Sequence, residues 1–311
     1  MNSLKWLLAI VLTLNAALAQ ESVAGLRGKA EGEFINASTN PYGRWLAVLH
    51  VLRERTRAEL GVAPAQFSLG LMYTNGEGVT KDLTQAIAWY RKAAEQGVAP
   101  AQFNLGSMYS KGEGVSKDAA EAARWYRKAA EQGFAEAQFN LGSMYARGEG
   151  VTKNAWEAVG WYYIAAEKGF GQAQFNLGSM YSRGEGVPKD AAKAVSWYRR
   201  AAKQGNAQVQ FNLGSMYSRG EGVPKDAAEA ARWYRKAAEQ VFADSQFILG
   251  SMYANGEGVP KDAVQAYMWC NLAAAQGDED AKKRRNLLEK DMTPGQIAEA
   301  QKLSREWTPK K

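Results

Sequence analysis

Strict 36-residue spacing governs what this chain can fold into. Phenylalanines stand at Phe67, Phe103, Phe139, Phe175, Phe211 and Phe247, and the segment AQFNLGSMY that contains Phe103 returns around Phe139 and Phe175. Six copies follow one another without an insertion or deletion. A period of this length belongs to stacked units, each too small to bury a core alone. Such an array adds core with every copy, so 311 residues need not divide into two compact domains.

Two helices are legible in each copy. The first, near 101–110, places Ala101, Leu105, Met108 and Tyr109 on one arc at helical spacing. Gly106 lies beside that arc. A mid-helix glycine costs about 0.8–1 kcal/mol relative to alanine, so its return in every copy is read as close approach of another helix backbone. The second helix runs from about Ala119 to Gln132. Ala119, Ala122, Ala123, Trp125, Tyr126, Ala129 and Ala130 cover half its circumference, which predicts burial on two sides. Asp118 is an N-cap, and Glu121 three residues on predicts a capping box. Gly97, Gly133, Gly169, Gly205 and Gly277 follow the helix ends, as left-handed C-terminal residues do. Val241 takes that place in the fifth copy and is expected to be strained there.

The flanks differ from the array. Lys5, the apolar run Leu7 to Leu14 and Ala17-Leu18-Ala19 read as a cleavable signal peptide over 1–19. Residues 20–42 read as a flexible leader, in which Asn36-Ala37-Ser38 is only a weak glycosylation match. A helix over 43–60 is expected to use Trp45, Leu46, Leu49, Leu52 and Leu60 as the apolar side of an N-terminal cap, so that 43–61 precede six repeats over 62–277. Residues 278–311 read as C-terminal capping helices. Thr293, Pro294 and Gln296 start the last one, and Ile297, Ala300, Leu303 and Trp307 give it one apolar side. Nothing after the signal peptide resembles a membrane span. Loss of Lys5 with that peptide takes the formal charge from +7 to +6, without a basic run of the kind that binds nucleic acid. Cys270, the only cysteine, excludes an internal disulfide and stands where earlier copies have tyrosine, so it reads as a buried core thiol.

The LGxxY of each first helix and the AxxWYxxAA of each second resemble the Sel-1-like repeat family, relatives of tetratricopeptide repeats. Residues 101–130 match its pattern closely, and the resemblance covers 65–277. It implies an all-α, right-handed solenoid of antiparallel helix pairs whose members act mostly as scaffolds or adaptors. The exported bacterial members that this chain resembles include proteins that engage host factors and components of envelope polysaccharide machinery. A cysteine-rich subset is linked to penicillin binding, but those proteins carry a cysteine pair in each repeat, which this chain lacks.

Residues with catalytic chemistry are sparse. His50 is the only histidine, so neither a metal site nor a Ser-His-Asp or Cys-His arrangement can be assembled. The Gly-Glu-Gly loops, from Gly76-Glu77-Gly78 to Gly256-Glu257-Gly258, carry an acid where a phosphate cradle would not. Their glutamates belong to successive copies rather than to one substrate site; they read as solvated or paired with a nearby cation. Outer faces of the second helices, such as Arg124, Arg127, Lys128 and Glu131, read as solvated. The functional candidate is a row on the first helices, pointing away from Leu105 and its equivalents. It comprises Phe103, Asn104, Ser107 and Lys111, then Phe139, Asn140 and Arg147, then Phe175, Asn176 and Arg183, then Phe211, Asn212 and Arg219. Apolar faces flanked by amides and cations suit an extended peptide or an envelope glycan in a groove. The expectation is a non-catalytic exported scaffold without cofactor or metal, binding protein or peptide. A structural spacer and a penicillin-recognising enzyme are the alternatives.

Overall fold

The computed structural model describes residues 41–310. The signal peptide, the leader up to residue 40 and the Asn36 match lie outside the described residues. Pro41 and Tyr42, read as the leader's end, instead open the first helix.

Fifteen helices and no strand are present among the described residues. Helix α1 spans Pro41–Glu59. The copies then supply, as first and second helices, α2 Ala63–Asn75 and α3 Leu83–Glu95, α4 Ala99–Lys111 and α5 Ala119–Glu131, and α6 Ala135–Arg147 and α7 Ala155–Glu167. They continue with α8 Gly171–Arg183 and α9 Ala191–Ala202, α10 Ala207–Arg219 and α11 Ala227–Glu239, and α12 Ala243–Asn255 and α13 Ala263–Ala275. Helices α14 Glu279–Leu288 and α15 Pro294–Glu306 follow. The protein is an all-helical α-solenoid. Its chain forms two compact units, one ending at Lys117 and one beginning at Asp118. Within each unit the helices of a copy pack on each other, and each second helix packs on the next first helix.

The expected arcs form the core. Ala101, Leu105, Met108 and Tyr109 are buried, as are Ala122, Ala123, Trp125, Tyr126, Ala129 and Ala130. Burying a side chain of the Leu class contributes on the order of 1.5–3 kcal/mol, so six fully buried LG leucines are a main term of the array's stability. What approaches the glycine of LG is a tyrosine ring more than a backbone, which corrects the sequence reading. A Cβ on Gly142 or Gly178 would lie 2.9 Å from the ring of Tyr162 or Tyr198 in the same copy. The ring can pack this close to the first helix because no side chain stands there.

The loop glycines do two different jobs. Gly148 adopts φ 77° and ends α6, while Gly150 has φ 67° and a Cβ there would meet the Ala119 carbonyl oxygen at 2.1 Å. The loop is therefore pressed on the preceding second helix, and the spacing between copies is fixed by backbone contact.

Capping differs from expectation in one respect. The Asp82 carboxylate accepts from Thr84 and Gln85 N–H at 2.9 and 3.0 Å; Asp118 and the Asn154 amide oxygen likewise accept from the N–H groups two and three residues on, and Asp190, Asp226 and Asp262 accept from the N–H three residues on. The reciprocal arm of the box is absent, because the N-cap's own N–H is already used. Asp82, Asn154 and Asp190 N–H groups each donate to a tyrosine carbonyl of the first helix, at 2.9 Å. The acid three residues on is released for other work: Glu229 accepts from Trp233 Nε1 at 2.9 Å and pairs with Arg232 at 3.1 Å. Thr293 and Gln296 do form the full box at α15.

Helix α1 buries a different side from the one expected. Val51, Glu54 and Ala58 are buried, whereas Leu49, Leu52 and Leu60 are exposed. The register explains this: Glu54 and Ala58 lie 36 residues before Tyr90 and Ala94, so α1 keeps the inward face of a second helix. The buried Glu54 carboxylate is neutralised by Arg53 and Arg57 at 3.0 and 3.2 Å.

Candidate partner-binding surface

Two ladders join successive copies and decide what remains available on the surface. The buried glutamine of each AQF or its variant reaches back to the last turn of the preceding second helix. Gln102 donates to the Ala94 carbonyl at 2.9 Å, Gln174 to Ala166 at 3.0 Å and Gln210 to Ala202 at 3.1 Å. In four copies its own oxygen accepts from the glutamine that caps the same copy's second helix: Gln96 donates to Gln66 at 2.7 Å, Gln204 to Gln174 at 3.0 Å, Gln240 to Gln210 at 2.8 Å and Gln276 to Gln246 at 2.7 Å. A second ladder runs from arginine to tyrosine: Arg55 donates to the Tyr73 hydroxyl at 2.6 Å, and Arg91, Arg127, Arg199 and Arg235 contact Tyr109, Tyr145, Tyr217 and Tyr253 likewise. Neither ladder was read from the sequence, although a glutamine at a buried helical position every 36 residues was the available signal.

The expected row divides by residue type. Phe139, Phe175 and Phe211 are half-buried, each with its ring centroid 5.7 Å from the tyrosine of its own copy's second helix. Phe139 and Phe211 also touch Phe170 and Phe242, at 5.1 and 5.3 Å. Their rings thus serve packing first and are only partly exposed. Phe103, Asn104 and Ser107 are half-buried in the other unit, and Asn104 bonds the Tyr90 hydroxyl. Asn140, Asn176 and Asn212 are half-buried, and Asn212 accepts from Gln208 on its own helix at 3.1 Å. Lys111, Arg147, Arg183 and Arg219 are exposed, and each pairs with the glutamate of its own Gly-Glu-Gly loop, at 3.9, 3.0, 3.5 and 3.5 Å. Such exposed pairs hold roughly 0.2–1 kcal/mol, so a carboxylate from outside competes with them easily.

Among the described residues no catalytic grouping converges on this surface. Cys270 is buried with its thiol pKa pushed up by desolvation to about 12, which leaves it protonated and inert. His50 is exposed on α1, and the desolvation it retains lowers its pKa. No three His, Cys, Asp or Glu side chains gather as a metal site among the described residues.

The model of the Sel1 repeat matches residues 63–98, 99–134, 135–170, 171–206, 207–241 and 243–278. The chain belongs to the Sel1 repeat family. Sel1 repeat proteins are in general protein-interaction scaffolds, and the fold is typically non-catalytic. The chain is similar to a Sel1 repeat protein from Oxalobacter formigenes whose crystal structure is known, at 39% identity and TM-score 0.61. That match covers 73% of this chain and 66% of the other, so the chain spans just under two thirds of that relative. It is also similar to c5321, a protective antigen of uropathogenic Escherichia coli with an SLR fold, at 27% identity over 93% of this chain and 94% of that one, with TM-score 0.37. Helicobacter pylori cysteine-rich protein B shares 26% identity over 42% of this chain and 92% of its own, with TM-score 0.34. No curated protein matches the chain. No described helix is long and apolar enough to cross a membrane.

Proposed function

We propose that this Sel1 repeat protein is an exported, non-catalytic scaffold that binds protein or peptide along the outward row of its first helices. The observation that carries the reading is the repeated combination of a half-exposed amide with an exposed, weakly held cation. Asn140 with Arg147, Asn176 with Arg183 and Asn212 with Arg219 recur at 36-residue spacing in one unit. An extended peptide offers backbone groups to the amides and side-chain carboxylates to the arginines. The exposed parts of the phenylalanines add apolar contact, but their rings belong first to the core. An envelope glycan would use the amides and not the cations. The signal-peptide pattern over residues 1–19 supports export, and the inert Cys270 supports a role without catalysis.

Panning a random peptide display library on the wild type and on an Asn140→Ala/Asn176→Ala/Asn212→Ala variant tests this. Enrichment of acidic peptides that is lost in the variant, at unchanged helicity, supports the row. Equal enrichment on both proteins refutes it. Enrichment of nothing by the wild type leaves the spacer reading in its place.

A further inference from the structure

One second helix departs from its equivalents on the face turned to solvent. At four positions α5 carries Ala120, Arg124, Arg127 and Lys128, and α9 carries Ala192, Ser196, Arg199 and Arg200. Helix α7 has Trp156, Gly160, Tyr163 and Ile164 there instead, at i, i+4, i+7 and i+8, which is one stripe of a helix. Trp156 is 69% exposed, Tyr163 47% and Ile164 42%. The expectation that every outer face is a solvated mix of charges fails here. The neighbouring tryptophan shows the same change. Lys92, Lys128, Arg200 and Lys236 lie over the rings of Trp89, Trp125, Trp197 and Trp233 at 4.1–4.7 Å. Ile164 takes that cation's place beside Trp161, which is half-buried where those four are buried.

Helix α13 makes the same departure, with Val264, Met268, Asn271 and Leu272 at the equivalent positions. There the chain supplies the cover itself. Leu303 of α15 and Trp307, which follows it, pack with Met268, Trp269 and Leu272, and Ile297 and Ala300 pack with Val264 and Tyr267. An apolar outer face in this protein is thus answered by the apolar side of another helix. Charge narrows the choice for α7. Lys128 and Arg200 are the 36-residue neighbours of Ile164 and Arg124 is that of Gly160; all three are exposed, and Arg124 and Arg200 are held only by surface pairs with Glu121 at 3.1 Å and Glu167 at 2.7 Å, which a carboxylate from outside displaces readily. A second copy of this chain would set these cations against their like.

We infer that α7 is the docking face for an amphipathic α-helix of a partner protein. The partner's apolar side covers Trp156, Tyr163 and Ile164, and its flanking carboxylates meet Arg124 and Lys128 on one side and Arg200 on the other. Gly160, at the centre of the stripe, has nothing within 4 Å of a built Cβ, so the incoming helix can come close. The inference concerns a different face from the first-helix row and stands independently of it.

The test is fluorescence polarisation with a labelled synthetic helix of about four turns, Leu and Trp on one side and Glu on its flanks, beside a counterpart with Lys flanks. The variant Trp156→Ala/Tyr163→Arg/Ile164→Lys reproduces α5 at these positions, so it is expected to fold with unchanged helicity and Tm. It adds two positive charges, so any loss of binding reports the apolar stripe. The wild type is expected to bind the Glu-flanked helix at least about tenfold more tightly than the Lys-flanked one, and the variant to lose roughly tenfold or more. The Asn140/Asn176/Asn212 variant should bind as the wild type does. The inference is overturned if the wild type does not bind the Glu-flanked helix, shows no charge preference, or binds no better than the variant. Stripe-dependent dimerisation in sedimentation velocity, or stripe-dependent binding to phosphatidylglycerol–phosphatidylcholine vesicles, would also overturn it in favour of a second copy or a lipid surface.

Discussion

Val241 offers a clean measurement of one backbone dihedral. It is the one non-glycine residue with positive φ among the described residues, at 67°, where Gly205 and Gly277 have 93° and 95°. A β-branched residue in the left-handed region costs on the order of 1–2 kcal/mol. Two terms oppose the gain from Val241→Gly: glycine's extra unfolded-state entropy, about 0.4–1 kcal/mol, and the loss of a side chain that is 39% exposed. A Cβ at Gly205 or Gly277 meets nothing within 4 Å, so little packing is at stake at this turn. The net expectation is a stabilisation of about 0.5–1 kcal/mol, or a rise in Tm of roughly 1–4 °C for a unit of this size. Hydrogen exchange gives a local check. The Val241 and Phe242 N–H groups donate to Ala238 and Ala237 at 3.1 and 3.2 Å, and a gain of about 1 kcal/mol slows their exchange roughly fivefold. Gly205→Val is the mirror experiment and should lower Tm. The reasoning fails if Val241→Gly leaves both readouts unchanged or lowers them, or if Gly205→Val costs nothing.

Three further outcomes are expected. Lys168 stands where the other copies cap the helix with glutamine, and the buried Gln138 Oε1 has no partner; Lys168→Gln should complete the ladder and raise stability by about 0.5–1.5 kcal/mol in urea titration. Gly178→Ala should destabilise by on the order of 1–3 kcal/mol, because the Tyr198 ring is 2.9 Å from the new methyl, while Gly160→Ala, which meets no atom, should stabilise by about 0.8–1 kcal/mol; equal signs in thermal melts would contradict the packing described. Cys270, raised by burial from 9.0 to about 12, stabilises the fold while protonated. That contribution is complete below pH 9 and is lost as pH rises towards 12. Tyr90, Tyr198 and Tyr234 shift in the same direction; Cys270→Ala should therefore flatten the alkaline loss of Tm without removing it.

Much of the fold was legible because the period is written in residues whose physics is local. The Asp caps, the left-handed glycines and the alanine–aromatic arcs each stand for one backbone or packing requirement. The inward face of α1 was misread because leucines were weighed above register, although Glu54 sits in the tyrosine's place. The capping box was overread because the competing acceptor, a carbonyl on the other helix of the copy, becomes visible only in three dimensions. The glutamine ladder was passed over for a related reason: a buried amide looks like a surface residue until its two partners are placed around it. The α7 stripe was hidden by reading the consensus, since the informative residues are those that leave it.

The glutamine ladder gives every copy one end that donates and one that receives, with the same atoms at each junction. Deleting residues 135–170 would bring Gln174 to the register now held by Gln138, with the Ala130 carbonyl as its acceptor. Each 36-residue copy is in that sense an exchangeable cassette, and near-identical coding segments recombine readily into longer or shorter arrays. Length can then change in single genetic steps while the joints persist. Losing the third cassette would shorten the array and remove α7 whole, so the same event that trims the scaffold would also unplug its apolar face.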